Sequence, residues 1–416
     1  MKCRFCSSEL EHTFLDLGFA PPSNAYLTES QLIEPEKYFP LRVMVCDHCW
    51  LVQTEDYAEA RELFTPDYAY FSSTSKSWME HARQYFKQIS EVVDLESEGF
   101  VVEVASNDGY LLRNFQENGI RCLGVEPAIE TAVVAEGYGI DTIREFFTEE
   151  LAQRLTASHG QADLVIGNNV YAHVPDINDF TRGIKALLKP QGVVTLEFPH
   201  LLRLVEDGQF DTIYHEHFSY LSLSTACRIF SAAGLRVWDV ESLPTHGGSL
   251  RIYGSLVDAD FEVTERVAAV VEAEEGLGLS RLSTYLEFHE KAQLIKNNFL
   301  SFLLEAKRAG KRVAAYGAAA KGNTLLNYAG VKPDLISYVC DAAQAKQGKF
   351  MPGSHLPIFP PEKLFNDSPD VIIVLPWNLK PEVEKLLEPM VREGAVVKSL
   401  FPDFQLPSGT ALKNID

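Results

Sequence analysis

The sequence lacks the long apolar runs and the basic excess that would place it in a membrane or on nucleic acid. Nowhere in its 416 residues do about 18 apolar side chains follow one another, the minimum for a membrane-spanning helix. The first residues run into cysteines and acids, without the apolar core of an export signal. Acidic side chains outnumber basic ones by 58 to 37, giving a net charge of −21, which argues against DNA or RNA. We expect a cytoplasmic protein that binds neither membranes nor nucleic acid.

Cysteine is scarce, but four of the seven cysteines form two closely spaced pairs. Cys3 and Cys6 make the first C-x-x-C pair, and Cys46 and Cys49 make the second. In a reducing compartment such pairs bind metal more often than they form disulfides. Four thiolates on two tight turns can surround Zn²⁺ tetrahedrally with no open position, so we predict a structural zinc site. Free or redox-active cysteines are the alternative.

Short apolar segments alternate with helix-periodic ones, which predicts an α/β fold with a doubly wound parallel sheet. The predicted strands cover residues 38–45, 99–105, 122–125, 164–166, 193–198, 312–316, 336–340 and 371–375. The predicted parts are a compact, loop-rich unit (1–72), a first α/β unit (73–260), a helical linker (261–310) and a second α/β unit (311–416).

A small-residue turn, Glu103-Val-Ala-Ser-Asn-Asp-Gly109, follows a predicted buried strand and opens a helix. Ligands of open α/β sheets bind at this carboxyl edge. Glu126 ends the next strand, where a carboxylate can accept hydrogen bonds from ribose hydroxyls. The turn has one glycine where a dinucleotide fingerprint has three, so a cofactor without phosphate, such as S-adenosylmethionine, fits better. A plain turn beside a solvated acid is the alternative. The residues expected to contact the cofactor are Glu103, Ala105, Asn107, Gly109, Glu126 and Asn168.

The segment Tyr214 to Tyr220, Tyr-His-Glu-His-Phe-Ser-Tyr, concentrates side chains suited to acid–base chemistry. Histidine titrates near neutral pH, and a neighbouring carboxylate or tyrosine can orient it or stabilise an enolate oxygen. The segment therefore suits proton abstraction beside a carbonyl. In a strand, His215 and His217 would share one face and Glu216 would lie on the other. There are two alternatives. The two histidines could bind a metal, or the segment could be a structural hydrogen-bond cluster.

Three further residues lie near these motifs without a strong signal of their own. His173 follows a strand end and can face the same cleft, although a lone histidine is more often structural. Tyr68 and Tyr70 precede the first α/β unit and by themselves would be packing residues.

A second small-residue turn, Gly317-Ala-Ala-Ala-Lys-Gly322, lies between a strand and a helix of the second α/β unit. Its small residues, the helix N-terminus and Lys321 predict a phosphate cradle for a nucleotide diphosphate. Asp341 ends the following strand, where the ribose-binding acid of an NAD site would lie. NAD binding is one alternative, although the glycine pattern is not the dinucleotide fingerprint. A purely structural turn is the other.

Together and in this order, the motifs resemble the nucleotide-sugar C-methyltransferases, best known as C-3′-methyltransferases of TDP-linked deoxysugars. The resemblance covers essentially the whole chain. It rests on the four cysteines and on four segments: Ala-Ser-Asn-Asp-Gly, Gly-Val-Glu-Pro, Tyr-His-Glu-His-Phe-Ser-Tyr and Gly-Ala-Ala-Ala-Lys-Gly. It implies an N-terminal zinc domain, a central S-adenosylmethionine domain and a C-terminal Rossmann-like domain. It also implies a nucleotide-linked 4-keto sugar, with TDP favoured, bound between the last two.

The resemblance also implies roles for individual residues and a reaction. His217 matches the general base, with Tyr214 and Glu216 beside it and Tyr68 and His173 at further catalytic positions. The positions expected to bind the substrate are Tyr70, His215, Lys321 and Asn323. The implied reaction transfers a methyl group to a ring carbon beside the keto group, through an enolate. An NAD-dependent nucleotide-sugar oxidoreductase and a non-catalytic nucleotide-sugar-binding protein remain as alternatives.

Overall fold

The computed structural model describes residues 1–57, 71–95 and 99–405 of the chain. Its internal contacts divide the chain into two units. Unit 1 comprises Met1–His12, Val45–Leu202 and His217–Arg281. Unit 2 comprises Thr13–Met44, Arg203–Glu216 and Leu282–Asp416. Neither unit is one continuous stretch of sequence.

The strands are numbered in chain order and listed with their bounds. They are β1 (His12–Ala20), β2 (Phe39–Val45), β3 (Val52–Thr54), β4 (Phe100–Val104), β5 (Arg121–Val125), β6 (Thr142–Ile143), β7 (Ala162–Asn168), β8 (Leu188–Pro199), β9 (Ser219–Tyr220), β10 (Leu235–Leu243), β11 (Ser249–Leu256), β12 (Val313–Tyr316), β13 (Val339–Cys340), β14 (Ile358–Phe359), β15 (Val371–Val374) and β16 (Val396–Ser399).

The α-helices are numbered in the same way. They are α1 (Lys76–Val92), α2 (Leu112–Glu117), α3 (Ile129–Gly137), α4 (Glu149–His159), α5 (Ile177–Leu187), α6 (Leu201–Asp207), α7 (Leu223–Ala233), α8 (Glu265–Leu277), α9 (Leu282–Leu286), α10 (Phe288–Arg308), α11 (Ala320–Tyr328), α12 (Glu362–Asp367) and α13 (Lys380–Arg392).

Unit 1 is built on a seven-stranded sheet with the order β10-β11-β8-β7-β4-β5-β6. The five strands from β8 to β6 are parallel. In contrast, β11 runs antiparallel to both β8 and β10. The predicted α/β class is confirmed, but the expectation of a parallel sheet is wrong for the hairpin of β10 and β11. Gly247 and Gly248, both with positive φ, lie in the connection between these two strands.

The sequence of the central strand explains its place in the sheet. All five residues of β4, Phe-Val-Val-Glu-Val, are buried, as in a parallel strand covered by helices on both faces. Helix α1 begins after Ser75, whose hydroxyl accepts a hydrogen bond from the Trp78 N–H. The helix packs Tyr85 and Ile89 into the core of the unit. Burial of an apolar side chain of this size stabilises the fold by about 1.5–3 kcal/mol.

The parallel arrangement brings the ends of four strands to one edge of the sheet. The strands β4, β5, β7 and β8 end at Val104, Val125, Asn168 and Pro199. Residues that follow these ends therefore gather at the carboxyl edge, where open α/β sheets bind their ligands.

Unit 2 contains a five-stranded, wholly parallel sheet with the order β14-β13-β12-β15-β16. A core that includes Leu364, Ile372 and Leu387 lies against it. In the same unit, β1 and β2 are hydrogen-bonded neighbours. The stretch 261–310 is largely helical, as predicted, and forms α8, α9 and α10.

In the described ranges, no helix has both the length and the apolar character needed to cross a membrane.

A buried carboxylate completes the start of α7 in unit 1. Glu274 of α8 accepts hydrogen bonds from the Leu223 and Ser224 backbone N–H groups and from the Ser224 hydroxyl. His200 Nε2 lies 2.7 Å from Oε1, the oxygen that also accepts the Leu223 N–H. The N–H groups of a first helical turn have no partner within the helix, so the carboxylate satisfies them. Burial alone would raise the pKa of Glu274, but the contacts with His200 and Ser224 outweigh it and lower the pKa.

We expect Glu274→Gln to lower the free energy of unfolding at pH 7 by about 2 kcal/mol, because hydrogen bonds to a charged group are lost. The carboxylate has a lower pKa in the folded state than in the unfolded state. Its contribution is therefore complete above the unfolded-state pKa and is lost as the pH falls through the folded-state pKa. Denaturant titrations of both proteins at several pH values measure the difference, which should shrink in acid. Glu275→Gln, an exposed neighbour on the same helix, is the control. Equal losses in the two variants would contradict this role.

Candidate active site and metal site

The four predicted cysteines come together in unit 1. Their sulfur atoms all lie within 4.8 Å of one another. The pairs Cys3–Cys49 and Cys6–Cys46 are 3.5 and 3.6 Å apart, and all four cysteines are free of disulfides. The hydrogen bond with the Cys49 thiol lowers the pKa of Cys3, so the cluster stabilises a thiolate. Four close sulfur donors match the tetrahedral ligand set of structural Zn²⁺.

Both cysteine pairs lie on the same kind of turn. The Ser7 N–H donates to the Cys3 carbonyl at 2.9 Å, and the Trp50 N–H donates to the Cys46 carbonyl at 2.8 Å. Ser7 and Trp50 both adopt positive φ, at 62° and 65°, a region that side chains other than glycine rarely enter. Two matching turns thus present two sulfurs each to one point, which is the geometry of a metal knuckle.

The turn after β4 has an unusual backbone. Ala105, Asn107 and Gly109 all have positive φ, at 58°, 52° and 75°. Conformations of this kind in alanine and asparagine concentrate at binding and catalytic sites. The positive φ of Gly109 favours glycine, and a Cβ atom there would lie 2.5 Å from Ile140 Cδ1, so a substitution would strain the turn.

Three buried carboxylates surround this turn. Glu126 accepts hydrogen bonds from the N–H groups of Asn107, at 2.9 Å, and Ala128, at 2.8 Å. Its side chain is buried, not solvated. Burial raises the pKa of Glu103, and Asp108 and Glu126 raise it further. A cationic ligand would relieve this repulsion.

Several buried polar atoms at this edge have no hydrogen-bond partner within the described ranges. They are Glu103 Oε2, Ser106 Oγ, Asp108 Oδ1, Asn168 Oδ1 and Asn169 Oδ1. Buried polar atoms are nearly always paired, so such a group indicates a polar ligand. S-adenosylmethionine carries an ammonium, a sulfonium and two ribose hydroxyls, which supply the positive charge and the donors that this edge lacks. The residues present therefore fit the predicted cofactor.

A charged network that no local sequence pattern predicts lies at the end of β8. Glu197 is fully buried, and both His81 Nε2, at 2.9 Å, and the Arg251 guanidinium, at 3.1 Å, contact its carboxylate. The His81 ring stacks on Trp78 at 4.8 Å, and Trp78 lies 6.2 Å from Tyr110, which follows the cofactor turn. The network thus supports the carboxyl edge from the side of β8.

His217, the predicted base, lies beside His173 in unit 1. Their ring centroids are 4.6 Å apart, and the Tyr220 ring lies 5.9 Å from His217. His217 is buried and His173 is half-buried. Imidazoles are the side chains most often used as general bases, so this pair is a candidate for proton abstraction.

The segment from Tyr214 to Phe218 is not a strand, so the arrangement expected for a strand does not apply to its histidines. Residues His215 and Glu216 form a turn, and β9 begins only at Ser219, so the shared strand face of His215 and His217 does not occur. His215 belongs to unit 2, where its Nε2 lies 3.2 Å from the Pro40 carbonyl. Within the described ranges, the four-cysteine cluster is the one group of three or more potential ligands close enough to hold a metal.

Glu216 is a buried carboxyl group in unit 2. Asn24 Nδ2 donates to its Oε1 at 3.1 Å. Burial raises the pKa of Glu216 to about 7. The group therefore changes charge near neutral pH, as a general acid or base requires. Asn24, in a Pro-Pro-Ser-Asn loop far away in sequence, carries no signal that links it to Glu216.

Lys321 is the second residue of α11 and lies in a polar and aromatic setting within unit 2. Its Nζ lies 3.1 Å from Asn378 Oδ1 and 4.2 Å from the centroid of the Trp377 ring. Trp377 also donates a hydrogen bond to Asp211 at 2.7 Å. Burial lowers the pKa of Lys321 and raises that of Asp211. No sequence pattern singled out Asp211 or Trp377, although Asp211 lies three residues before Tyr214.

Of the remaining predicted residues, some lie in unit 2 and two lie outside the described residues. Asn323 donates a hydrogen bond to the Ser23 carbonyl, and Asp341 accepts one from the Ala318 N–H at 2.7 Å. Tyr214 is half-buried in unit 2. Tyr68 and Tyr70 lie outside the described residues.

Three family models cover most of the chain. A zinc binding domain matches residues 3–64, a methyltransferase domain matches residues 77–240, and a C-methyltransferase C-terminal domain matches residues 244–402. Among known proteins, C-methyltransferase NovU of Streptomyces niveus is 37% identical over 382 residues, which cover 92% of this chain and 91% of that protein.

Solved structures overlap with part of the chain. A chain from the complex of the Haloferax volcanii Trm112 methyltransferase activator with a methyltransferase has a TM-score of 0.36 at 16% identity, and the overlap covers 44% of this chain and 94% of that one. A SAM-dependent methyltransferase of Thermotoga maritima has a TM-score of 0.33 at 18% identity, with coverages of 43% and 89%. Overlaps at such TM-scores carry no functional argument.

Cys46→Ser should reduce the zinc content from one ion per chain to well below one, because a hydroxyl is a much poorer zinc ligand than a thiolate. The midpoint of thermal denaturation should fall at the same time, since the metal stabilises the knuckles. Elemental analysis of the purified protein gives the zinc content. The matched control is Cys122→Ser in β5, which should retain one zinc. Full zinc occupancy in Cys46→Ser would rule out the four-cysteine site.

Proposed function

Because the chain belongs to the C-methyltransferase family and uses S-adenosylmethionine, we propose that it methylates a nucleotide-linked 4-keto-deoxysugar at a ring carbon beside the keto group, C-3′. TDP is the favoured nucleotide. The observation that carries the proposal is the close contact of His173 with the buried His217, in the unit that also contains the acceptor-rich strand edge. Membership of the family sets aside the NAD-dependent oxidoreductase and the non-catalytic binding protein.

The chemistry of C-methylation explains why a base is needed. When bound, S-adenosylmethionine supplies an electrophilic methyl carbon on a sulfonium that leaves as a neutral thioether. A sugar ring carbon is not a nucleophile until it loses a proton. A neighbouring keto group makes that proton acidic, because the electron pair left behind delocalises onto oxygen. A histidine with a pKa near the working pH suits the step.

In the proposed mechanism His217 accepts the proton from the ring carbon, and the electron pair of the C–H bond enters the enolate. Bound S-adenosylmethionine would supply the methyl group that this enolate carbon accepts, and methylation would restore the ketone. His173 lies close enough to orient the His217 ring or to accept its proton afterwards. By the family resemblance, Tyr214, Glu216 and Tyr68 complete the catalytic set, and Tyr70, His215, Lys321 and Asn323 bind the substrate.

For the cofactor, we propose the edge formed by Glu103, Ala105, Asn107, Gly109, Glu126 and Asn168. The buried acids and unpaired oxygens there support this assignment, as does the positive φ of the turn. We likewise propose the domain limits 1–72 for zinc binding, 73–260 for methyl transfer and 311–416 for the C-terminal domain, with a helical linker at 261–310.

Glu126→Gln should weaken S-adenosylmethionine binding by about 10- to 150-fold, because the loss of a charged hydrogen bond to a ribose hydroxyl costs about 1.5–3 kcal/mol. Isothermal titration calorimetry measures the dissociation constant, and the thermal midpoint checks that the turn is intact. Glu130→Gln, an exposed glutamate in the first turn of α3, should bind normally. An unchanged affinity in Glu126→Gln would refute the ribose contact.

A direct assay tests the reaction. Methyl-labelled S-adenosylmethionine and a TDP-4-keto-6-deoxysugar should give a sugar labelled at C-3′. In deuterium oxide with S-adenosylhomocysteine, the protein should exchange the C-3′ proton without methylation, because the enolate forms and reverts. His217→Asn should reduce both processes by at least about 100-fold, since asparagine keeps the shape but cannot accept the proton.

The controls separate catalysis from folding. His217→Asn should still bind S-adenosylmethionine in calorimetry. His159→Asn, a half-buried position at the end of α4, should keep normal turnover. Near-normal methyl transfer by His217→Asn would refute its role as the base. Failure of a panel of nucleotide-linked 4-keto sugars to accept the label would refute the substrate class.

A further inference from the structure

Two side chains link the four-cysteine cluster to the histidine pair, and all of the contacts lie within unit 1. The first is Gln53, which is fully buried. Its Nε2 donates to Cys3 Sγ at 3.2 Å, and its Oε1 accepts the Arg4 N–H at 2.9 Å. Both ends of the amide are therefore used by the first knuckle. Hydrogen bonds of this kind orient metal ligands and adjust their basicity.

Gln53 lies at the centre of β3, which supports the backbone that follows His217. In the antiparallel pair of β3 and β9, Gln53 faces Ser219. The Thr54 hydroxyl donates to the His217 carbonyl at 3.1 Å, and the Thr54 N–H donates to the Phe218 carbonyl at 3.2 Å. The strand β3 starts three residues after Cys49, so the second knuckle fixes its beginning.

Arg4 lies inside the first knuckle, between Cys3 and Cys6. Its guanidinium donates to the carbonyls of Pro175, at 2.7 Å, and Thr54, at 3.0 Å. It also lies 5.3 Å from the centroid of the Phe218 ring, and 5% of its side chain is exposed. Pro175 is two residues beyond His173, and Phe218 directly follows His217. One side chain thus contacts the segments of both histidines.

We infer that Arg4 and Gln53 are positioning residues, which hold His173 and His217 at their working separation by tying both segments to the metal knuckles. The inference rests on the proposed role of His217. The rigid, planar guanidinium can reach two carbonyls and a ring face together, which a single ammonium cannot do. A displacement of about 1 Å in a catalytic group can cost 100-fold in rate, so the precision of this link matters.

The first test is Arg4→Met, which keeps the length of the side chain and removes its donors. We expect one zinc per chain, S-adenosylmethionine affinity within about twofold of normal, and a kcat lower by about 10- to 100-fold. The ring ¹⁵N signals of His173 and His217 should shift, and the pH profile of kcat should move with them. Arg4→Lys should recover part of the loss. Gln53→Glu, which removes the donor to Cys3, should shift the same signals.

The matched control is Arg154→Met, which removes an exposed arginine paired with Glu145 on the surface. It should change neither the ring signals nor kcat. If Arg4→Met loses zinc or unfolds, Arg4→Lys decides by the same measurements. Histidine signals and kcat that stay at the wild-type values in the folded, zinc-loaded variant would overturn the inference.

The outcomes separate this inference from the proposed function. If His217→Asn retains turnover while Arg4→Met still shifts the ring signals, the role of the base fails and the link stands. If His217→Asn is inactive while Arg4→Met changes neither signals nor rate, the link fails and the base stands.

Discussion

The carboxyl edge of the parallel sheet in unit 1 is the constraint on which the proposed cofactor site depends. Parallel strands all end at the same side, so Glu103, Glu126 and Asn168, which lie far apart in sequence, gather at one place. The cost is that carboxylates with the same charge are buried together and buried oxygens lack partners. A cationic cofactor with several hydrogen-bond donors would offset both effects, because its positive charge reduces the repulsion and its donors pair with the buried oxygens.

Burial affects carboxylates in opposite ways, and the partners decide the direction. Glu103 and Glu216 are buried with few compensating donors, and their pKa values are raised. Glu197 and Glu274 are equally buried, but histidine, arginine or backbone donors surround them, and their pKa values are lowered. The first pair is suited to binding or proton transfer, whereas the second stabilises the charged form and the fold. The overall charge of −21 therefore says little about any one site.

Much of this organisation follows from local sequence patterns. The two C-x-x-C pairs, the buried apolar strands and the small-residue turn after β4 depend on neighbouring residues, so the sequence predicts them well. The hairpin of β10 and β11 was missed because its direction is set by pairing with β8, although Gly247 and Gly248 offered a turn signal. The contact of Asn24 with Glu216 and the network around Glu197 join distant segments, and no local pattern encodes them.

The position of His217 explains why the link that we infer between the metal knuckles and the proposed base would matter. The residues around His217 form a turn, and β9 has only two residues, so this segment contains little regular structure that could hold it. The carbonyls of His217 and Phe218 accept hydrogen bonds from Thr54 of β3, which is itself only three residues long. By our inference, the knuckle that precedes β3 adds to the rigidity of this segment, because four sulfur ligands on one Zn²⁺ would fix the backbone from which β3 starts.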